Sequence, residues 1–151
     1  MTTSTDPVVL QTWMIDNETD LAGWAGDFAQ KIAPPMVILL DGPMGSGKTT
    51  LIRYLMQAIR GEEASSPTFS LVNEYRAPGG MVYHFDLYRL EQPQDLEEIG
   101  FDEYLQSGAM CFIEWPALGT SFYEEDLTST IRVEVLPTNQ RKIHWYKGIV
   151  L

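Results

Sequence analysis

Residues 36–49 read MVILLDGPMGSGKT, and the order of residue types in that stretch decides the fold. Residues 36–40 are a short, continuously apolar run of strand-forming side chains, the pattern of a central strand buried on both faces. A glycine-rich turn follows at once. Beyond it Leu51, Ile52, Leu55, Met56 and Ile59 form a helical stripe running from Lys48 to Arg60, with Gly61 as the expected C-terminal stop. The turn satisfies G-x-x-x-x-G-K-[ST] over Gly42, Pro43, Met44, Gly45, Ser46, Gly47, Lys48 and Thr49, and it sits between strand and helix, where a phosphate loop must lie. Its glycines let the backbone N–H groups curl inward toward phosphate oxygens, and the helix that follows presents the positive end of its dipole to the same anion. Lys48 is placed to neutralise β- and γ-phosphates. The Thr49 hydroxyl offers one hard oxygen to Mg²⁺, which keeps waters and takes phosphate oxygens for most of its other positions. Thr50, in the first helical turn, completes the residues expected to line the nucleotide.

Working outward, Leu21, Trp24, Phe28 and Ile32 mark one buried helix face, with Asn17 as the expected N-cap, Asp20 three residues on, and Pro34-Pro35 as the end. Residues 68–75 alternate, Pro78-Gly79-Gly80 turns the chain, and residues 81–85 extend again as a hairpin-like pair. Pro93 opens a helix carrying Leu96 and Ile99, continued by Phe101, Tyr104 and Leu105 until Gly108. Residues 110–113 form another buried strand, and Ile131, Val133 and Val135, then Ile143 and Trp145, alternate as two late strands around Pro137-Thr138-Asn139. Strands interleaved with helices predict an α/β chain: a P-loop NTPase-like three-layer fold with a mostly parallel central sheet and added antiparallel strands. At 151 residues without repeats or linkers, residues 1–151 are expected to form a single domain.

Composition excludes several classes. Apolar residues make up 44% and aromatics 11%, too much for a disordered chain. Ten Lys and Arg against 21 Asp and Glu leave a net charge of −11, which opposes general nucleic-acid binding by counterion release. Cys111 is the one cysteine, so neither an intrachain disulfide nor a cysteine-built zinc site can form. The start of the chain lacks the pattern of a signal peptide, and its longest aliphatic run is far below the ~20 residues that span a bilayer. No contact with a membrane and a cytoplasmic location are the expectations.

Phosphoryl chemistry needs oxygen ligands for the metal and a group that orients the attacking oxygen. Two strand-end carboxylates qualify, Asp86 and Glu114, the latter following an apolar run in the manner of a Walker B strand. Either can hold Mg²⁺ while the other polarises the nucleophile, so Lys48, Asp86 and Glu114 are the catalytic candidates and Thr49, Asp86 and Glu114 the metal ligands. His84 lies on the same face as Asp86 and can donate to a carboxylate or phosphate, although a structural histidine is the commoner case. His144 and Cys111 read as structural. Arg89 can supply positive charge or pair with the acidic stretch beside it, and Trp115 can pack, stack on a base or anchor a partner.

An ordered set of segments extends this reading: GPMGSGKTT, SSPTFSLVNEY at 65–75, HFDLYRL at 84–90, LEEIGFDEYL at 96–105 and FIEWP at 112–116. In that order they resemble the TsaE family, small bacterial ATPases needed to make threonylcarbamoyladenosine in tRNA. The resemblance implies ATP and Mg²⁺ as ligands, with Lys48 and Thr49 on phosphate and metal, and Asp86 and Glu114 as metal and catalytic carboxylates. It implies that Ser66-Pro67-Thr68 forms a switch-like loop sensing the γ-phosphate, and that Trp115 lies near the nucleotide or a partner surface. It also implies TsaB and TsaD as partners, with tRNA met only indirectly. Family members often carry an acid where this chain has Pro43, so a side-chain contact there is lost while the backbone cradle is not. Two other readings share the phosphate loop. A small-molecule kinase is disfavoured by the sparse Arg and Lys after Lys48, and a nucleotide-dependent binding switch would hydrolyse only incidentally. No N-K-x-D sequence occurs, which favours adenine over guanine.

Overall fold

The computed structural model describes residues 6–64 and 71–151. Among them, strands β1 (Val9–Ile15), β2 (Met36–Asp41), β3 (Val72–Ala77), β4 (Gly80–Asp86), β5 (Met110–Glu114), β6 (Thr128–Val135) and β7 (Arg141–Lys147) form one 7-stranded sheet in the order β1-β7-β6-β2-β5-β4-β3. β2 lies at its centre because Val37 to Leu40 are apolar on both faces and all buried. β6, β2, β5 and β4 run parallel, whereas β1, β7 and β3 are added antiparallel.

Helices lie on both faces. On one, α1 (Asp20–Ala29) and α2 (Lys48–Ala58) cover Ile38, Leu40, Phe112, Ile131 and Ile143. On the other, α3 (Pro93–Glu98), α4 (Phe101–Leu105) and a 3-10 segment, Pro116–Phe122, cover Val37, Leu39, Phe85 and Ile113. Phe28, Ile38, Leu55, Phe85 and Phe101 are wholly buried. Each such side chain stabilises the fold by about 1.5–3 kcal/mol relative to exposure.

Several local expectations are corrected. Asn17 does not cap α1: the cap position is Thr19, without a side-chain cap bond, and Asp20 Oδ2 instead accepts from the N–H groups of Asp16 and Asn17. The expected helix over 93–105 is two helices, because Gly100 sits at φ +73° and turns the chain between them. α2 ends with Arg60 in the left-handed region at φ +60°, and the Gly61 N–H closes the helix by donating to Met56 O at 2.8 Å, where a Cβ would stand 3.3 Å from Arg76 O. β1 was not expected at all. Val9, Leu10 and Met14 are exposed on this edge strand and only Ile15 is buried, so its alternation is blurred.

Candidate functional site

The parallel register brings the carboxyl ends of β2, β4 and β5 to one edge of the sheet, with Glu114 opposite both Leu40 and Asp86. The loop from Gly42 to Gly47 leaves β2 at that edge and leads into the N-terminus of α2. Gly45 at φ +78° and Gly47 at φ +97° occupy the left-handed region, where a Cβ would meet nothing within 4 Å, so conformation is the reason for glycine there. Gly42 is different: a Cβ would lie 2.8 Å from Ser46 Oγ and 3.1 Å from Val133 O, so contact is the reason. Ser46 Oγ itself is buried with no hydrogen-bond partner among the described residues, the condition of a donor awaiting a ligand.

Lys48 is 5% exposed. Its Nζ donates to Gly42 O at 2.6 Å and stands 3.3 Å over the Trp115 ring. Burial pushes the Lys48 ammonium below its ordinary pKa, opposed by the charges of Glu114, Asp41 and Asp86. Trp115 holds the ring in place from a left-handed backbone, φ +54°, a conformation that costs a non-glycine residue about 1–3 kcal/mol and clusters at functional sites. Tyr88 packs against the same indole at a tilt of 47°, with ring centroids 4.9 Å apart.

Glu114, 3% exposed, joins the loop to the sheet. Thr49 Oγ1 donates to it at 2.9 Å from Oε1 and 3.0 Å from Oε2, and His84 Nε2 lies 2.6 Å from Oε2. Asp86 is half-buried at the neighbouring strand end and accepts from the Tyr88 N–H at 3.0 Å. Among the described residues no three His, Cys, Asp or Glu side chains converge as a metal cage. Mg²⁺ is held by one or two carboxylates together with substrate phosphates, and the oxygens of Thr49, Glu114 and Asp86 fit such a partial set.

The expected residues therefore divide. Gly42, Gly45, Gly47, Lys48, Thr49, Glu114 and Trp115 meet in one place, and Asp86 stands beside them. Pro43 has no N–H to offer a phosphate, and its carbonyl accepts from Ser46 N at 3.1 Å. Met44 contributes no buried side chain, being 64% exposed. Thr68, with Ser66 and Pro67, lies outside the described residues. Cys111 is core, its thiol pushed up to about 12 by burial. His144 stands on the opposite face of the outer sheet against Glu134 and Thr12. A cleft of about 440 Å³ opens beside the loop, lined by Asn17, Glu18, Ser46, Thr50, Asn139 and Arg141. Asn17, Glu18, Asn139 and Arg141 had no part in the expected site, because the turn before α1, the turn before β7 and the first residue of β7 supply them, and only the sheet brings these together. The turn residues Pro137-Thr138-Asn139 were the one local signal.

The family model described as Threonylcarbamoyl adenosine biosynthesis protein TsaE matches residues 15–143. The chain is 43% identical over 91 residues to the tRNA threonylcarbamoyladenosine biosynthesis protein TsaE of Haemophilus influenzae, covering 60% of this chain and 58% of that relative, under two thirds of its length. Against the protein of the same name from Aquifex aeolicus it is 30% identical over 142 residues, covering 92% of this chain and 98% of the relative. The fold is similar to the crystal structure of Bacillus subtilus YdiB, with a TM-score of 0.76 at 24% identity over 97% of this chain and 90% of that one.

Proposed function

The chain belongs to the TsaE family, and from that premise we propose that it is a P-loop ATPase serving threonylcarbamoyladenosine formation on tRNA. The observation that carries the reading is the phosphate loop between β2 and α2, with Lys48 buried in it and Thr49 bonded to Glu114. In this reading the loop N–H groups and Lys48 bind the polyphosphate of ATP, and the base and ribose lie in the cleft lined by Asn17, Thr50, Asn139 and Arg141. Thr49 and Glu114 hold Mg²⁺, which when bound neutralises charge on the phosphates. Asp86, at the adjacent strand end, orients the attacking water. Trp115 covers Lys48 with its ring face and is itself packed by Tyr88. TsaB and TsaD are the proposed partners, tRNA being met through them, with the cytoplasm as the location. Among the described residues no helix is long and apolar enough to cross a membrane.

The test is an ATPase assay of the chain alone and with TsaB and TsaD. Slow turnover alone and faster turnover with the partners is expected. A rate that the partners leave unchanged would favour a nucleotide switch with incidental hydrolysis, and phosphoryl transfer to a small hydroxyl compound would make the protein a kinase.

A further inference from the structure

His84 is wholly buried, yet it is not packed as an apolar ring would be. Register places it two residues before Asp86 on β4, on the same face as Glu114 of β5 and directly opposite Asn73 of β3. A line of polar contacts crosses these three strands: Asn73 Nδ2 donates to Tyr75 Oη at 3.0 Å, Tyr75 Oη lies 3.5 Å from His84 Nδ1, and His84 Nε2 lies 2.6 Å from Glu114 Oε2. With the ring proton on Nε2 the directions agree throughout. The imidazole donates to the carboxylate, Nδ1 is left to accept from the Tyr75 hydroxyl, and the tyrosine oxygen accepts from the Asn73 amide.

We infer that His84 is a positioning residue which, through this buried line, holds the Glu114 carboxylate for Mg²⁺. The inference rests on the reading of Glu114 as a cation ligand. Thr49 bonds both carboxylate oxygens almost equally, at 2.9 and 3.0 Å, and so does not choose between them. His84 does, because it engages Oε2 and, among the described residues, leaves Oε1 with Thr49. A glutamate side chain has three rotatable bonds, and a fixed donor behind one oxygen removes most of that freedom before a cation arrives. Partners that orient a metal ligand from behind change metal affinity about 10–100-fold when removed.

The test uses Mn²⁺ as the probe, titrated by electron paramagnetic resonance into the full chain saturated with a non-hydrolysable ATP analogue. His84→Phe, which keeps volume but removes the donor, is expected to weaken Mn²⁺ binding about 10–100-fold while metal-free nucleotide affinity stays within about twofold. His84→Asn, whose amide cannot reach Glu114, gives the same loss and replaces the Phe variant if that does not fold. His84→Gln, whose amide nitrogen reaches about as far as Nε2, restores most of the affinity. Added to Glu114→Gln, His84→Phe causes no further loss, because its effect runs through that carboxylate. Unchanged Mn²⁺ affinity in folded His84→Phe or His84→Asn, or full additivity in the double variant, overturns the inference while leaving the cation site standing. Unchanged affinity in Glu114→Gln overturns the cation site itself, and this inference with it.

Discussion

At Lys48, burial and charge compete within a few ångströms. Burial disfavours its ammonium, and the charges of Glu114, Asp41 and Asp86 restore it only in part. The ammonium rests on the Gly42 carbonyl and the Trp115 face, neutral partners that a polyphosphate outcompetes because hydrogen bonds to charged oxygens are about twice as strong. Lys48→Ala removes that contact and leaves both apolar clusters of the core intact. It is expected to leave the circular dichroism spectrum unchanged and to raise the barrier to hydrolysis by about 3–4 kcal/mol. Wild-type turnover in a well-folded variant would dismiss the site. The two carboxylates should separate by their response to metal. Glu114, bonded to Thr49, is the ligand in our reading, so Glu114→Gln is expected to raise the Mg²⁺ concentration needed for half-maximal turnover. Asp86→Asn, whose native side chain is tied to the Tyr88 N–H, should lower the maximal rate at an unchanged Mg²⁺ requirement. The reverse pattern in a Mg²⁺ titration would exchange the two roles.

At the scale of elements, β1 is an edge strand held to α1 by the Trp13 ring, which packs on Trp24 and Phe28, and by the Asp27 carboxylate. Asp27 Oδ2 accepts from Trp13 Nε1 at 2.9 Å and from Gln11 Nε2 at 3.0 Å, and Oδ1 accepts from Lys31 Nζ at 2.9 Å. The Lys31 and Trp13 bonds hold the Asp27 carboxyl below its ordinary 3.8, against a smaller opposing effect of burial. A depressed folded pKa contributes stability that is present above the unfolded value and lost as pH falls through the folded one. The gap in urea midpoint between wild type and Asp27→Asn should therefore hold steady from neutral pH down to about 4 and narrow below it. A gap that widens on acidification would show that the carboxylate charge is not what ties β1 down. This strand also shows why part of the fold was not legible. The loop, β2, α2 and β5 could be read because local pattern and tertiary placement agree: Val37 to Leu40 are apolar and buried, and Gly45 and Gly47 stand where φ is positive. β1 could not, because apolar Val9, Leu10 and Met14 are exposed along with Thr12 and break the alternation. The division of α3 from α4 at Gly100 was hidden by apolar spacing that continues across the turn. The carboxylates were legible as strand ends and His84 as a possible donor to a carboxylate or phosphate, whereas its partner, Glu114, was not, because that contact crosses strands.

At the scale of the whole molecule, the charge of −11 acts on every anionic ligand, but at different ranges. Ionic strengths of 0.1–0.15 M screen charges beyond about 8–10 Å, so salt weakens the repulsion from distant carboxylates while the loop N–H groups and Lys48 still act at contact distance. Nucleotide affinity, measured by titration between about 50 and 200 mM salt, is therefore expected to stay level or tighten. An RNA-gripping surface behaves oppositely, because a protein that neutralises 6–10 phosphates loses about 10³–10⁵ in affinity over that range. Three of the ten basic residues are already engaged within the chain: Arg132 with Asp41 at 3.0 Å and the Val150 carbonyl at 2.8 Å, Lys31 with Asp27 at 2.9 Å, and Lys48 with the Gly42 carbonyl at 2.6 Å. The chain alone should therefore bind tRNA weakly and with a shallow salt dependence, and any tight association should appear only with the partner proteins. A tRNA affinity of the isolated chain that falls steeply with salt would mean that a basic face grips the phosphate backbone directly, and the proposal that tRNA is met only through partners would fail.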